Sequence, residues 1–340
     1  METTKWYAAL DTHSCGQPLR IITGGVPQIN GSSQHAKSLF FKRHFDSVRK
    51  LLLAEPRGHR EMTGAIVTAP TTPEANFGLL FLNQEGLSAI SGHGIIAAVA
   101  AWASTGQLSA SDAANGVLID CPAGTVKAFA DFDGHEVRSV SFLNVPSFIY
   151  AEQLAVKVQG MEIRIDVAFG GEFYAVVDMS ALGDGDVFNL PKLREWGRVI
   201  REEIERRLEV KHPHLDWISG IHGVFFYQRG DASCDDRTPH RLAYRCTAAF
   251  AGEQLDRSPG GAGTCAHMAV LHSCGALKPG QQIVYEGITG ARIVGSIEGE
   301  KDIYGYRAVI PRLTGTAHIL GFMNFLLDPS DSLPEGFVLY

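Results

Sequence analysis

Asp256-Arg257-Ser258-Pro259-Gly260-Gly261-Ala262-Gly263-Thr264-Cys265-Ala266 reads as a loop that becomes a helix. Ser258-Pro259 favours a turn, and the glycines at 260, 261 and 263 let the backbone run close to a ligand. Ala262 to Leu271 is then an apolar, helix-forming run. A helix that starts there turns its unbonded N–H groups and its positive dipole end toward whatever lies in front of it. A carboxylate or phosphate suits that position. The shape occurs twice in the chain. In Ser91-Gly92-His93-Gly94-Ile95-Ile96-Ala97, Gly92 matches Gly261, Gly94 matches Gly263 and Ala97 matches Ala266. Taken as a repeat, this is a pseudo-symmetric protein with a glycine-rich helix start in each half, gripping a small anion. Taken as coincidence, it is two buried helices with glycines for close packing.

The surrounding pattern supports a mixed α/β (α+β) fold with more strands than helices. Strands are expected at Tyr7–Asp11, Ile66–Val67, Gly78–Asn83, Val117–Asp120, Thr125–Phe129 and Val140–Val145. From about residue 150 the pattern begins again, with Ile163–Phe169, Phe173–Val177, Val224–Gln228, Leu242–Phe250 and a series of later strands up to Leu327. Gln34 to Leu53 has helical spacing, with Leu39, Phe41, Phe45, Val48 and Leu52 on or near one face. Pro191 opens a second amphipathic helix that carries Leu193, Trp196, Ile200, Ile204 and Leu208. The helices after the two glycine-rich starts are apolar nearly all round, which predicts burial. The inferred architecture is a curved sheet around a central helix, present twice.

With 340 residues the chain has room for two domains, and 45% hydrophobic with 20% charged residues is ordinary for a globular protein. A net charge of −7 without a basic block argues against nucleic acid as a partner. No apolar run has the length of a membrane span, and residues 1–11 lack the pattern of a signal peptide. The expectation is a cytoplasmic protein with reduced cysteines at 15, 121, 234, 246, 265 and 274. No cysteine or histidine spacing fits zinc, and no metal is expected; His212 and His214 flank Pro213 in a loop.

Several motifs together resemble the proline racemase family, which includes hydroxyproline 2-epimerases and trans-3-hydroxy-L-proline dehydratases. They are Asp11-Thr12-His13 through Arg20, Glu55-Pro56-Arg57-Gly58, Ser91-Gly92-His93-Gly94, Phe169-Gly170-Gly171-Glu172-Phe173-Tyr174-Ala175, Asp256-Arg257-Ser258-Pro259 and Thr314-Gly315-Thr316-Ala317. The resemblance implies two halves of the diaminopimelate-epimerase type with the site in the cleft between them. The expected halves are residues 1–150, completed by strands at about 315–340, and residues 151–314. It also implies that Gly92, His93 and Gly261, with Ala262 beside them, bind the carboxylate of an imino acid and flank its ring, and that Asp256 holds the ring nitrogen. No cofactor is implied; the expected partner is a small imino acid, and a homodimer is the assembly entertained.

The chain departs from the family at two positions. Ser91 stands where a cysteine is usual, and Gly260 stands where a cysteine, or in dehydratases a threonine, is usual. Racemisation needs a base on each face of the α-carbon, and glycine supplies none. Dehydration needs one base, because hydroxide leaves from the neighbouring carbon and the enamine tautomerises unaided. The loop Glu55 to Met62 also looks more like the dehydratase branch; its plain structural reading is a solvated loop with a local Glu–Arg pair. The reading that follows is cofactor-independent dehydration of trans-3-hydroxy-L-proline to Δ1-pyrroline-2-carboxylate, with Ser91 as base and His93 orienting or activating it. Ser91 also suits an N-cap. Cys265, more than a turn past Gly260, is expected to face the core, and Cys15 sits where the family usually has glycine. The alternatives are a proline racemase or 4-hydroxyproline 2-epimerase, and a non-catalytic imino-acid-binding protein.

Overall fold

In a computed structural model, residues 5–183, 189–230 and 242–339 are described; Cys234 lies outside them. The chain forms two compact units, residues 1–140 with 316–340, and residues 141–315.

The elements of the first unit are β1 (Lys5–Ser14), β2 (Gln17–Gly24), α1 (Gln34–Leu53), β3 (Thr63–Thr68), β4 (Phe77–Leu82), the short β5 (Leu87–Ser88), α2 (Gly92–Ser104), α3 (Ala110–Asn115), β6 (Val117–Cys121) and β7 (Gly124–Asp133). β8 (Glu136–Leu143) then leads out of it. The second unit contains β9 (Ser147–Val158), β10 (Met161–Phe169), β11 (Phe173–Asp178), α4 (Leu190–Arg207), β12 (Gly223–Arg229), β13 (Leu242–Phe250), α5 (Ala262–Ser273), β14 (Gln282–Glu286), β15 (Arg292–Ile303) and β16 (Tyr306–Gly315). β17 (Ala317–Leu327) returns to the first unit.

The internal repeat is one of connectivity. In the first unit β1–β2 is antiparallel, β2–β3 parallel, β3–β4 antiparallel, β4–β6 parallel and β6–β7 antiparallel. In the second unit β10–β11, β11–β12, β12–β13, β13–β14 and β14–β15 follow the same alternation. β17 pairs with β1 as β9 pairs with β10. In the second unit β15 pairs with β16 and β16 with β9, which closes an eight-stranded barrel. The barrel encloses α5, which packs on β9, β10, β11, β12 and β16; in the first unit α2 packs on β1, β2, β3, β7 and β17.

Both central helices are buried along almost their whole length, as their uninterrupted apolar sequences require. Ile95, Ile96, Val99, Cys265 and Met268 are fully enclosed. Burial of each of these isoleucine, valine and methionine side chains contributes about 1.5–3 kcal/mol. The outer helices are amphipathic. α1 packs Phe41, Val48, Leu52 and Leu53 against Ile66, Leu80 and Leu82. Leu39, expected on that face, is instead about half exposed. α4 has Pro191 in its first turn and buries Leu193, Trp196, Ile200 and Ile204. No helix among the described residues is long and apolar enough to cross a membrane.

One buried ion pair ties the first unit together. Arg20 on β2 donates from Nε and Nη2 to the two carboxylate oxygens of Asp11 on β1, at 2.8 and 2.7 Å. Its Nη1 donates to the carbonyls of Leu52 and Arg57, and its guanidinium lies 4.2 Å from the centroid of the Phe325 ring on β17. A strand pair, the end of α1, the loop after it and the last strand thus meet on one side chain. The Glu55–Gly58 loop is thereby tethered, with Pro56 left exposed. Arg57 pairs with Asp331 at 2.7 Å, while the Glu55 backbone bridges to Phe337. Gly58 is required there, since a Cβ would lie 2.1 Å from the carbonyl oxygen of Leu53. Replacing Asp11 by Ala leaves a buried guanidinium half unpaired, and urea denaturation should show a loss of about 3–5 kcal/mol.

Candidate active site

The first unit places Ser91, Gly92 and His93 at the start of α2. Ser91 is the N-cap, with extended backbone and its Oγ accepting from the N–H of Gly94 at 3.2 Å. The first intrahelical bond runs from Ile95 N–H to Ser91 O, so the amides of Gly92 and His93 precede it and have no acceptor among the described residues. Gly94 must lack a side chain, because a Cβ would lie 2.8 Å from the Phe81 ring and 3.0 Å from Ser91 Oγ. The His93 ring lies beside Ser91, with Oγ 3.3 Å from Nδ1 and 3.2 Å from Nε2. Nε2 is also 3.3 Å from the hydroxyl of Thr63 on β3. His93 keeps partial solvent access but is packed deeply among protein atoms, and burial lowers its pKa to about 4. It is neutral at pH 7, with one ring nitrogen able to accept a proton.

The second unit places Asp256, Ser258, Gly260, Gly261 and Ala262 at the start of α5. Thr247 Oγ1 donates to the Asp256 carbonyl, and Asp256 N–H donates to Ala248 O, which pins the residue to β13. Ser258 closes a turn onto the Asp256 carboxylate. Its N–H and its Oγ both donate to Oδ1, at 2.9 and 2.8 Å, and its Oγ accepts from Gly260 N–H. The other oxygen, Oδ2, takes no hydrogen bond and no ion pair among the described residues. Burial raises the pKa of Asp256 to about 6, and the bonds from Ser258 offset only part of that. The carboxylate is mostly ionised at neutral pH and has capacity for a cation.

Gly260 has φ +88°, in the left-handed region. A Cβ placed on it would meet Asp256 Oδ2 at 3.4 Å, Phe225 Cε2 at 3.9 Å and Thr264 Oγ1 at 4.0 Å. There is room for a side chain, but the backbone is set for glycine. The N-cap, Gly261, offers no side-chain acceptor. The helix makes its first bond from Cys265 N–H to Gly261 O, so the amides of Ala262, Gly263 and Thr264 precede it. Thr264 Oγ1 is committed to the carbonyls of Pro259 and Gly260. The wall is close: a Cβ on Gly263 would lie 2.7 Å from the Phe225 ring, and one on Gly170 would lie 2.0 Å from Ala262 O. The Gly170-Gly171 pair of the sequence motif thus lets the end of β10 approach the start of α5.

Cys265 is fully buried, and burial raises its thiol pKa well above the ordinary range. Cys15 has φ +51° in the turn between β1 and β2, a backbone that favours glycine. His212, lowered to about 4 by burial, accepts from the backbone N–H groups of His214 and Leu215 through Nδ1. Among the described residues no cluster of His, Cys, Asp and Glu is suited to a metal. Three contributors escaped the sequence reading: Thr63, Phe225 and the carboxylate-holding role of Ser258. Only the last had a local signal, an Asp followed two residues later by Ser.

The proline racemase family description matches residues 9–338. The chain belongs to the proline racemase family. It is 42% identical to the trans-3-hydroxy-L-proline dehydratase of Bacillus cereus over 340 residues, the full length of both chains. It is 36% identical to the proline racemase of Clostridioides difficile, again over the full length of both. Among solved structures, a hydroxyproline epimerase from Agrobacterium vitis with bound trans-4-hydroxy-L-proline superposes with a TM-score of 0.91. That match has 30% identity and covers 100% of this chain and 96% of that one. Family members thus carry the names of both lyases and isomerases, on the mixed α+β fold found here.

Because position 260 holds left-handed backbone, Gly260→Cys should cost about 1–2 kcal/mol. Urea denaturation measures it; an unchanged midpoint would mean that the loop relaxes to accept a side chain.

Proposed function

We propose that this protein dehydrates trans-3-hydroxy-L-proline to Δ1-pyrroline-2-carboxylate and water by a one-base mechanism. The observation that carries the reading is the left-handed glycine at position 260, which supplies neither acid nor base, whereas Ser91 and His93 form a hydrogen-bonded pair at the other helix start. The full-length identity of 42% to a named dehydratase supports the same branch.

Each residue then has a defined role. Asp256 Oδ2 takes the ring ammonium, and the free amides of the helix starts, from Gly92, His93, Ala262 and Gly263, stabilise the carboxylate as charge builds on it. The α-proton passes to Ser91 Oγ while the Ser91 hydroxyl proton passes to His93. The electron pair of the C–H bond forms the ring double bond, and the C3–O bond breaks with its pair. The departing hydroxide takes the proton back from the imidazolium and leaves as water. A histidine with a lowered pKa releases that proton readily. The enamine then tautomerises to the cyclic imine.

Proton NMR in D2O with 3-hydroxyprolines, 4-hydroxyprolines and proline tests the reading. Loss of the trans-3-hydroxy-L-proline signals with growth of an imine product is expected, and Ser91→Ala should slow it by about 10²–10⁴-fold. Full activity in Ser91→Ala would remove Ser91 from the mechanism. The acid limb of kcat/KM should follow Asp256. Burial disfavours its charged form, so below about pH 6 it is neutral and loses its attraction for the ring ammonium. Activity should therefore fall as pH drops through that value.

Epimerisation is the second reading, favoured by one observation. Asp256 Oδ2 lies 3.4 Å from where a Cβ at position 260 would sit, so a titratable group does border that face. Inversion at the α-carbon in the same NMR panel, without imine, would select this alternative.

A further inference from the structure

Ser91 Oγ lies almost equally far from the two nitrogens of His93, at 3.3 and 3.2 Å. That contact alone leaves open which nitrogen carries hydrogen. If Nδ1 did, the one remaining lone pair, on Nε2, would face the Thr63 oxygen as well as the serine. What breaks the tie is Thr63. A threonine hydroxyl has one hydrogen and two acceptor lone pairs. The hydrogen of Thr63 goes to the carbonyl oxygen of Pro18 at 2.5 Å, a contact much shorter than the 3.3 Å to His93 Nε2. Toward His93, Thr63 therefore offers only a lone pair. Ser91 is similarly determined: its Oγ accepts from Gly94 N–H, and its own hydrogen is left for an acceptor.

We infer that Thr63 is a positioning residue, whose hydroxyl, oriented by the Pro18 carbonyl, holds His93 in the Nε2–H tautomer and leaves the Nδ1 lone pair to accept the Ser91 proton. The chain of bonds runs Ser91 Oγ–H to His93 Nδ1, His93 Nε2–H to Thr63 Oγ1, and Thr63 Oγ1–H to Pro18 O. It serves the purpose that an acidic residue behind a histidine serves elsewhere, with a neutral hydroxyl in place of a charge. The placement of Thr63 follows from the sheet. β3 runs parallel to β2 with Thr63 opposite Leu19, which puts its side chain against the carbonyl of the preceding residue, Pro18. The Gln17 side chain donates to Glu61 O and holds the strand entry in place.

The consequence for turnover rests on the one-base reading above, whereas the tautomer does not. Long-range 1H–15N correlation spectra of the ligand-free protein report which His93 nitrogen is protonated. The wild type should show Nε2–H, Thr63→Val should shift His93 toward the Nδ1–H form, and Thr63→Ser should restore the wild-type pattern. With trans-3-hydroxy-L-proline, Thr63→Val should lower kcat at least about tenfold with KM within about twofold, and Thr63→Ser should recover most of it. A wild-type His93 protonated at Nδ1, or a Thr63→Val protein with unchanged tautomer, overturns the inference whatever the substrate proves to be. If the tautomer behaves as expected but the wild type does not consume trans-3-hydroxy-L-proline, the positioning role stands and the proposed reaction fails.

Discussion

Each unit of this protein encloses an apolar helix inside its sheet, and most of what the molecule offers chemically depends on that enclosure. A helix buried all round satisfies its backbone groups internally except at its ends. Its side chains are committed to packing, as Ile95 to Ala101 in α2 and Thr264 to Leu271 in α5 are. The start of the helix is then where unbonded polar groups concentrate. Close approach of neighbouring elements to those starts requires glycine at 94, 170 and 263, since a Cβ at any of them would lie under 3 Å from a ring or backbone atom. The glycines singled out in the sequence therefore have two sources. Some are needed for packing around the helix start, while Gly171 and Gly260 have positive φ, +107° and +88°.

The two starts share a plan and differ in chemistry. At α2 a serine caps the helix and is in contact with a neutral histidine. At α5 the cap has no side-chain acceptor, and a buried carboxylate with one oxygen committed to Ser258 borders it. An ionised carboxylate so enclosed is costly without a counter-charge, which is the physical content of its raised pKa. A cation beside Oδ2 would relieve that cost. A neutral histidine beside a hydroxyl marks one start, and a buried carboxylate marks the other.

Motifs that look functional in the sequence prove to be partly architectural. Asp11 and Arg20 form a buried bidentate pair, and Arg20 also holds the carbonyls at Leu52 and Arg57. These contacts anchor β2 and the loop that leads into β3. β2 and β3 also carry Pro18 and Thr63, whose hydroxyl donates to the Pro18 carbonyl and lies 3.3 Å from His93 Nε2. Arg57 completes the anchor by reaching Asp331 near the end of the chain.

Local sequence determined a good deal of this protein. Helical spacing from Gln34 to Leu53 delimited α1 to the residue, and the apolar runs after the two glycine-rich segments identified both central helices and their burial. Such features repeat over three or four residues and need no distant partner. β9 escaped because Gln153 takes φ +51° and its pairing with β10 shifts register twice, which breaks the alternation by which a strand is recognised. Leu39 has the spacing of a core residue, yet about half of it is exposed among the described residues. The pairing of Arg57 with Asp331, the left-handed backbone at Gly260 and the contact between Thr63 and His93 were decided by tertiary structure alone. Each joins groups far apart in the chain, or depends on how a loop is held between elements, and no spacing of residue types encodes the angle or distance at which they meet.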